Sequence, residues 1–95
     1  MAIPNGKLLY YDKNEVYEGN VNSDFERHGQ GKYTFSNGDI YEGDFYCDEI
    51  TGKGVKIYKN GDIYNGEFLR GERYGQGRMF YEKDKRIYEG QWRDD

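Results

Sequence analysis

The sequence predicts an all-β fold: an elongated, single-layer, twisted antiparallel sheet that runs as a meander of repeated hairpins. Three observations predict it. A nine-residue motif, Asn-Gly-Asp-Ile-Tyr-x-Gly-x-Phe, occurs at 37–45 and 60–68, with weaker copies at 14–21 and 85–92. Apolar and polar residues alternate within the motif, which is the period of a strand. No helix-sized window carries apolar residues at a spacing of 3.6, and Pro4 is the one proline.

The motif returns at a nearly fixed interval. Its anchoring tyrosines are Tyr17, Tyr41, Tyr64 and Tyr88, which are separated by 24, 23 and 24 residues. Such a period is typical of repeat proteins, in which each unit contacts only its neighbours. We therefore expect one domain over 1–95, with a half unit at about 6–15, units at about 16–39, 40–62 and 63–86, and a partial unit at 87–95.

A second motif lies out of phase with the first. It reads His-Gly-Gln-Gly-Lys-Tyr-Thr-Phe at 28–35, and variants of it occur at 51–58 and 74–81. The stretch Gly6-Lys7-Leu8-Leu9-Tyr10 resembles its second half. Together the two motifs resemble the MORN repeat, whose unit runs Tyr-Glu-Gly-x-aromatic, a short polar loop, Gly-x-Gly and an aromatic strand. The resemblance covers about residues 6–92 and implies a scaffolding role, since MORN arrays occur in cytoskeletal, ciliary and membrane-junction proteins.

Each repeat is expected to contribute one hairpin. The hairpins are predicted at about 7–21, 31–46, 54–69 and 77–92, joined by polar loops at 22–28, 47–51 and 70–74. Asn37-Gly38 and Asn60-Gly61 favour two-residue type I′ turns, because both central residues of that turn need φ > 0. The turns between Tyr10 and Val16 and between Tyr81 and Ile87 are one residue longer and are predicted to be wider.

The repeated glycines need a physical reason, because glycine weakens a strand interior. In the strand that begins at Ile40, Tyr41, Gly43 and Phe45 face one side, whereas Glu42 and Asp44 face the other. A ring can lie flat across backbone that has no Cβ. We therefore predict that the rings lie over the glycines, with hydroxyls in water and without a sealed core. The Gly-x-Gly triplets are predicted to form a bend with φ > 0.

Composition limits the cellular setting and the class of partner. Leu, Ile, Val and Phe make up 17 of the 95 residues, but 11 tyrosines supply further apolar area and the net charge is only −4. This acidic balance disfavours nucleic acid, whose binding needs a basic stripe. Cys47 is the single cysteine, and neither a signal peptide nor a membrane-spanning run is evident. We therefore expect a cytoplasmic protein, and the resemblance to MORN proteins implies association with the cytoskeleton or a cilium.

The sequence carries no catalytic motif. The Gly-x-Gly triplets lack the third glycine or the Gly-Lys-Ser/Thr of phosphate-binding loops. His28 has no partner at zinc-ligand spacing, and Cys47 has no histidine beside it in the sequence. A non-enzymatic protein with no metal or cofactor is therefore expected. Its charged side chains are predicted to form a solvated ladder on neighbouring strands: Glu18, Glu42 and Glu89 with Lys32, Lys56 and Arg78.

The aromatic face is the candidate binding surface. Exposed aromatic patches mark partner sites, and Tyr and Trp are favoured anchors. We expect this face to bind a helix or an extended peptide of a protein partner, with charged rims that set the register. The predicted binding residues are Tyr17, Phe35, Tyr41, Phe45, Tyr58, Tyr64, Phe68, Tyr81, Tyr88 and Trp92.

Two alternatives stay open. A phospholipid or membrane-surface module needs clustered Lys and Arg, whereas acidic residues here outnumber basic ones by 18 to 14. An accessory subunit of an enzyme complex is implied by the resemblance, because MORN repeats precede lipid-kinase and lysine-methyltransferase domains in some proteins. The outermost strands would also expose unpaired backbone groups, so edge-strand pairing or a homo-oligomer is a further expectation.

Overall fold

In a computed structural model, the chain forms one antiparallel sheet of eight strands. The structure describes residues 7–12, 14–93 and 95, with only the backbone for 7–12. The strands are β1 (Lys7–Asp12), β2 (Glu15–Val21), β3 (Arg27–Thr34), β4 (Ile40–Tyr46), β5 (Glu49–Ile57), β6 (Ile63–Leu69), β7 (Glu72–Tyr81) and β8 (Arg86–Trp92). They lie across the sheet in chain order, and the molecule measures 47 × 26 × 17 Å. The predicted all-β meander is confirmed.

The described part of the chain contains no helix, and so no helix long and apolar enough to cross a membrane.

In the last three hairpins, the first strand is longer than the sequence predicts. The expected polar loops at 47–51 and 70–74 are two-residue turns. Of the three expected loops, only the first is longer, at 22–26. The prediction was wrong because Glu49 and Glu72 are polar yet pair in register with Tyr46 and Leu69. Polarity at these positions reflects an exposed end of the sheet, not a loop. Neighbouring hairpins therefore pair along the length of their adjoining strands, with register shifts between Gly43 and Phe45 and between Gly66 and Phe68.

The Asn-Gly pairs do not form the predicted type I′ turns. Only their glycines have positive φ, 102° at Gly38 and 99° at Gly61. In the first of these loops, the Phe35 N–H donates to the Asp39 carbonyl at 2.8 Å, and the Gly38 N–H donates to the Phe35 carbonyl at 3.0 Å. These contacts define a three-residue loop, a type I turn followed by a left-handed glycine, which Asn-Gly also suits. The predicted wider turn after Tyr81 is confirmed, because four residues separate it from its partner Arg86.

The type I′ turns occur between successive hairpins instead. Both central residues have positive φ in Cys47-Asp48 (46° and 73°) and in Arg70-Gly71 (49° and 84°). Neither pair is Asn-Gly, so the usual sequence signal is absent. The predicted wider turn between Tyr10 and Val16 was wrong, because the first hairpin pairs Asp12 with Glu15 and leaves two residues between its strands. Its turn includes Lys13, which lies outside the described residues.

A row of glycines crosses the sheet from β2 to β8. In β1, Leu8 is the register partner of Gly19, so Leu8 has the place in β1 that Gly31 has in β3. The sequence alignment that matched Gly6 to Gly31 is therefore displaced by two residues, and Gly6 itself lies outside the described residues. Each glycine is the register partner of the next in the series Gly19, Gly31, Gly43, Gly54, Gly66, Gly77 and Gly90.

Tyrosine rings lie over this glycine row, as the sequence predicts. A Cβ on Gly54 would come within 2.5 Å of Cε1 of Tyr41. The same distance separates Gly31 from Tyr17 and Gly77 from Tyr64. Only glycine leaves room for the rings at these positions. The predicted positive φ is found at the first glycine of each Gly-x-Gly triplet: Gly29 (93°), Gly52 (117°) and Gly75 (65°).

The rings also form a closed core, which corrects the expectation of wet hydroxyls and no sealed interior. Tyr17, Tyr41 and Tyr64 are 0% exposed. Their hydroxyls donate to a main-chain carbonyl three residues further along the same strand, at 2.6, 2.7 and 2.9 Å. Burial of a hydroxyl is costly unless it is hydrogen-bonded, and here the strand itself supplies the acceptor. The other buried core residues are Val21, Tyr33, Phe45, Phe68 and Met79.

Candidate partner-binding surface

An unbroken series of ring contacts joins one repeat to the next on the aromatic face. Successive rings meet edge to face, with centroids 5.0–5.3 Å apart and planes inclined by 81–89°. This geometry is the favourable one for aromatic pairs. Each phenylalanine or tryptophan closes over the tyrosine of the preceding repeat. The series runs Tyr17, Phe45, Tyr41, Phe68, Tyr64, Trp92 and Tyr88.

The ten predicted binding residues all lie on or beside this face, but they differ in access. Five are buried and present no surface to a partner in this conformation: Tyr17, Tyr41, Phe45, Tyr64 and Phe68. Phe35, Tyr58, Tyr81 and Trp92 are half-buried against the core. Tyr88 is 44% exposed, because no further ring covers it. The accessible part of the face is therefore smaller than the sequence suggests.

Two groups of rings stay accessible. The first, which we call the aromatic rim, consists of Phe35, Tyr58 and Tyr81, one from each repeat. Each lies at the end of a strand, next to the loop that closes the hairpin. The second group, at the last strand, consists of Tyr88 and Trp92. Four of these five rings pack against the core, and Tyr88 contacts Trp92.

Cations lie across the aromatic rim, and the sequence analysis missed them. The Lys56 ammonium is 4.8 Å from the Phe35 ring centroid and 5.2 Å from that of Tyr58. The Arg73 guanidinium is 4.7 Å from the Trp92 ring and 5.8 Å from that of Tyr58. Such contacts lie within the range of cation–π attraction. The predicted place of Lys56 in the charge ladder was wrong.

Strand alternation explains the position of Lys56. It is two residues from Gly54, and residues two apart share a face of the sheet. It thus occupies the place that Tyr33 and Met79 have in the other repeats. Strand alternation in the sequence therefore places Lys56 on the aromatic face, although its charge resembles that of the residues on the opposite face.

Two arginines on this face are held by ion pairs. The main-chain N–H and Nε of Arg27 donate to Asp48 Oδ1 at 2.8 and 3.1 Å. Arg73 makes the equivalent contacts with Asp95 at 2.7 and 2.8 Å. Desolvation raises the pKa of Asp95, but the hydrogen bonds from Arg73 outweigh it and hold the pKa below its ordinary value. Lys56 has no ion pair within the described ranges.

On the opposite face, acidic and basic side chains alternate in register over part of the sheet. Lys32 lies opposite both Glu18 and Glu42, and Arg78 lies opposite Glu89. Val55 and Asn65 separate these two groups. The predicted ladder thus exists without Lys56.

The His28 and Cys47 side chains meet, although they are remote in sequence. Cys47 Sγ lies 3.9 Å from His28 Nδ1, and the same nitrogen accepts the Cys47 main-chain N–H at 3.1 Å. The sequence places no histidine beside Cys47, but the fold brings His28 to it. Desolvation, followed by the nearby carboxylates of Glu26 and Asp24, raises the pKa of the Cys47 thiol. A raised pKa keeps the thiol protonated, which is the opposite of an activated nucleophile.

Among the residues that the structure describes, no three His, Cys, Asp or Glu side chains converge to hold a metal ion.

Comparison with known proteins identifies the repeat. Four stretches of the chain match the MORN repeat: residues 17–40, 41–63, 64–85 and 88–95. Each match begins at one of the four tyrosines that anchor the motif. No match was found among curated proteins.

Proposed function

The chain belongs to the MORN repeat family. From that premise we propose that it is a non-enzymatic scaffold, which binds a helix or an extended segment of a protein partner on its aromatic face. Repeats of this family are in general protein- or membrane-interaction modules. One observation carries the proposal: Phe35 and Tyr58 are half-buried rings with the Lys56 ammonium across them. Apolar surface and a cation without an ion pair therefore share one site.

The chemistry of this site specifies the partner. An apolar side chain would pack on Phe35 and Tyr58, and a carboxylate of the partner would pair with Lys56. Arg27 and Arg73 hold their own carboxylates, so Lys56 is the cation that a partner would engage. Because the core fixes the rings beforehand, binding costs little side-chain entropy. We place this contact in a cytoplasmic, cytoskeletal, ciliary or other multi-subunit assembly.

A quantitative pull-down from the source cell tests the proposal. The baits are the wild type, Lys56→Glu, and Lys83→Glu as a matched charge reversal in the exposed turn at 82–85. We expect the Lys56→Glu bait to lose at least one partner that the other two retain. Thermal unfolding by circular dichroism checks that all three baits are folded. Identical partners on all three baits would contradict the proposal.

The lipid alternative has a separate outcome. We expect no salt-sensitive co-sedimentation with vesicles that contain acidic phospholipid, because carboxylates outnumber cations in the chain. Strong pelleting of the wild type that Lys56→Glu abolishes would assign the aromatic face to a membrane surface instead of a protein.

A further inference from the structure

The face opposite the aromatic face carries a row of apolar side chains that strand register brings together. Ile57, Ile63 and Ile87 in this row are 43%, 36% and 52% exposed. Six of its seven members are apolar, so it forms a continuous strip across the sheet. We call it the aliphatic row; from β2 to β8 it consists of Val16, Thr34, Ile40, Ile57, Ile63, Phe80 and Ile87.

Strand propensity alone does not account for this row. β-Branched residues suit exposed strand positions, but both threonine and isoleucine are β-branched residues that favour strands. The neighbouring row on the same face, from Glu18 to Glu89, holds one apolar residue, Val55. The row beyond it pairs Gln30 with Asp44, Lys53 with Glu67 and Gln76 with Gln91. Of these three rows only the first is mainly apolar, and a strip of exposed apolar side chains marks an interaction site.

We propose that the aliphatic row is a second docking surface, and that its occupant is an amphipathic helix of a partner protein lying across the strands. Strands lie about 4.8 Å apart, so the row is about 29 Å long, the length of a helix of about 19 residues. A helix presents one turn every 5.4 Å or so, which exceeds the strand spacing by only about 0.6 Å, so successive turns stay close to successive strands. An extended segment presents a side chain every ~6.8 Å and loses register after two strands.

A second copy of the chain fits this surface poorly. A strip about 29 Å long and about 10 Å wide covers roughly 300 Å² per partner, against about 800 Å² in a stable dimer. A two-fold axis parallel to the strands would also place Glu18 against Glu89 and Lys32 against Arg78. Like charges so placed are destabilising. A single helix avoids both difficulties and gives a weak, exchangeable contact.

The charges beside the aliphatic row specify one flank of the helix. The neighbouring row carries three carboxylates and two cations, and the row beyond it carries two carboxylates and one cation, so this side of the strip is net negative. A helix with Lys or Arg along the flank that faces this side is therefore complementary. The residues that carry these charges are Glu18, Glu42, Asp44, Glu67 and Glu89, with Lys32, Lys53 and Arg78.

This surface lies on the other side of the sheet from the aromatic rim. The two sites can therefore be occupied together, and the chain would link two partner segments through a single layer of backbone. The inference does not depend on the function proposed above, because it uses none of the same side chains.

A synthetic helical peptide of 19 residues, with a leucine stripe and lysines along one flank, tests the inference. In an NMR titration of the full chain, we expect amide shifts centred on Ile40, Ile57, Ile63 and Ile87. The Ile57→Thr/Ile63→Thr variant keeps β-branched residues and hence the sheet. We expect it to bind the peptide at least tenfold more weakly, with an unchanged melting temperature.

Matched controls separate packing from charge. Ile57→Val/Ile63→Val should bind within threefold of the wild type, and a peptide with glutamate in place of lysine should bind the wild type several-fold more weakly. The inference is overturned by any of four results: no shifts at the row up to about 1 mM peptide, equal binding by the threonine variant, shifts confined to the aromatic face, or a wild-type dimer in sedimentation that the threonine variant abolishes.

Discussion

Each buried tyrosine combines a ring that needs glycine beneath it with a hydroxyl that needs an acceptor. The Tyr41 hydroxyl donates to the Asp44 carbonyl at 2.7 Å, and the side chain is wholly buried. Tyr41→Phe keeps the ring but leaves that carbonyl without the donor, so we expect a loss of about 1 kcal/mol in the free energy of unfolding, measured in urea. Tyr88→Phe is the control, because Tyr88 is exposed and water can replace the donor. Equal losses in the two variants would contradict this account.

The buried hydroxyls also predict how stability depends on pH. Burial, and then the Asp44 carboxylate, raise the pKa of Tyr41 above its ordinary value, and burial raises the pKa of Tyr64. Unfolded tyrosines lose their protons from about pH 10, whereas these folded ones retain them. The folded state then binds more protons, so the free energy of unfolding falls as pH rises above about 10 and is unaffected below it. Urea midpoints between pH 9 and 11 should fall less steeply for Tyr41→Phe/Tyr64→Phe than for the wild type.

The glycine row permits a matched comparison of two positions. A Cβ on Gly54 would lie 2.5 Å from a ring atom of Tyr41, which is buried. A Cβ on Gly90 would lie 3.0 Å from the hydroxyl of Tyr88, which is exposed and can move. We expect Gly54→Ala to cost about 1–3 kcal/mol, the range for overpacking, and Gly90→Ala to cost less than half as much. Thermal unfolding of both variants measures the difference, and similar costs would argue against rings held by the core.

At the scale of the element, one turn between hairpins holds a residue in an unfavourable backbone conformation. Arg70 has a φ of 49° in a type I′ turn, a conformation that a long side chain tolerates poorly. Arg70→Asn creates Asn-Gly, the preferred pair for this turn. We expect a gain of about 0.5–1 kcal/mol in urea. Arg70→Val, which is β-branched, should lose stability at the same site; a gain in that variant would show that the turn is not type I′.

The sequence predicts an element well where a residue pattern is compatible with only one local structure. The alternation around Tyr41 gives the strand and its faces, and the rings over glycine follow from it. Asn37-Gly38 suits two kinds of turn, and the sequence pattern does not choose between them. Glu49 and Glu72 are polar in strands because the ends of the sheet face solvent. Lys56 shares a face with Gly54 because the two are two residues apart. Its charge alone suggests the opposite face, where the sequence analysis placed it.

At the scale of the whole molecule, the protection of the backbone should vary from the middle of the sheet to its edges. β4 has a neighbour on each side, whereas β8 pairs only with β7 among the described residues. Native-state hydrogen exchange should therefore be slowest in β4 and fastest in the two edge strands, for the amides of β1 that face away from β2 and those of β8 that face away from β7. Uniform protection would show that the sheet opens as one cooperative unit.

The closure of the aromatic face lies beyond what the sequence predicts. Tyr17 meets Phe45, a residue 28 positions away in the next repeat, because its ring lies over Gly31 of the strand between them. Strand patterns identify which residues share a face but not which rings meet across an intervening strand. The aliphatic row is hidden for a related reason. Ile40 and Ile57 become neighbours only after the register shift between Gly43 and Phe45 is known.

The ring series has a consequence for how such a chain changes over generations. Each repeat brings both the tyrosine that needs cover and the larger ring that covers the tyrosine before it. A duplication or loss of one whole unit therefore restores every contact at the junction, whereas an insertion of a few residues breaks several at once. The number of units can drift freely under selection, while the length of a single unit is held almost constant.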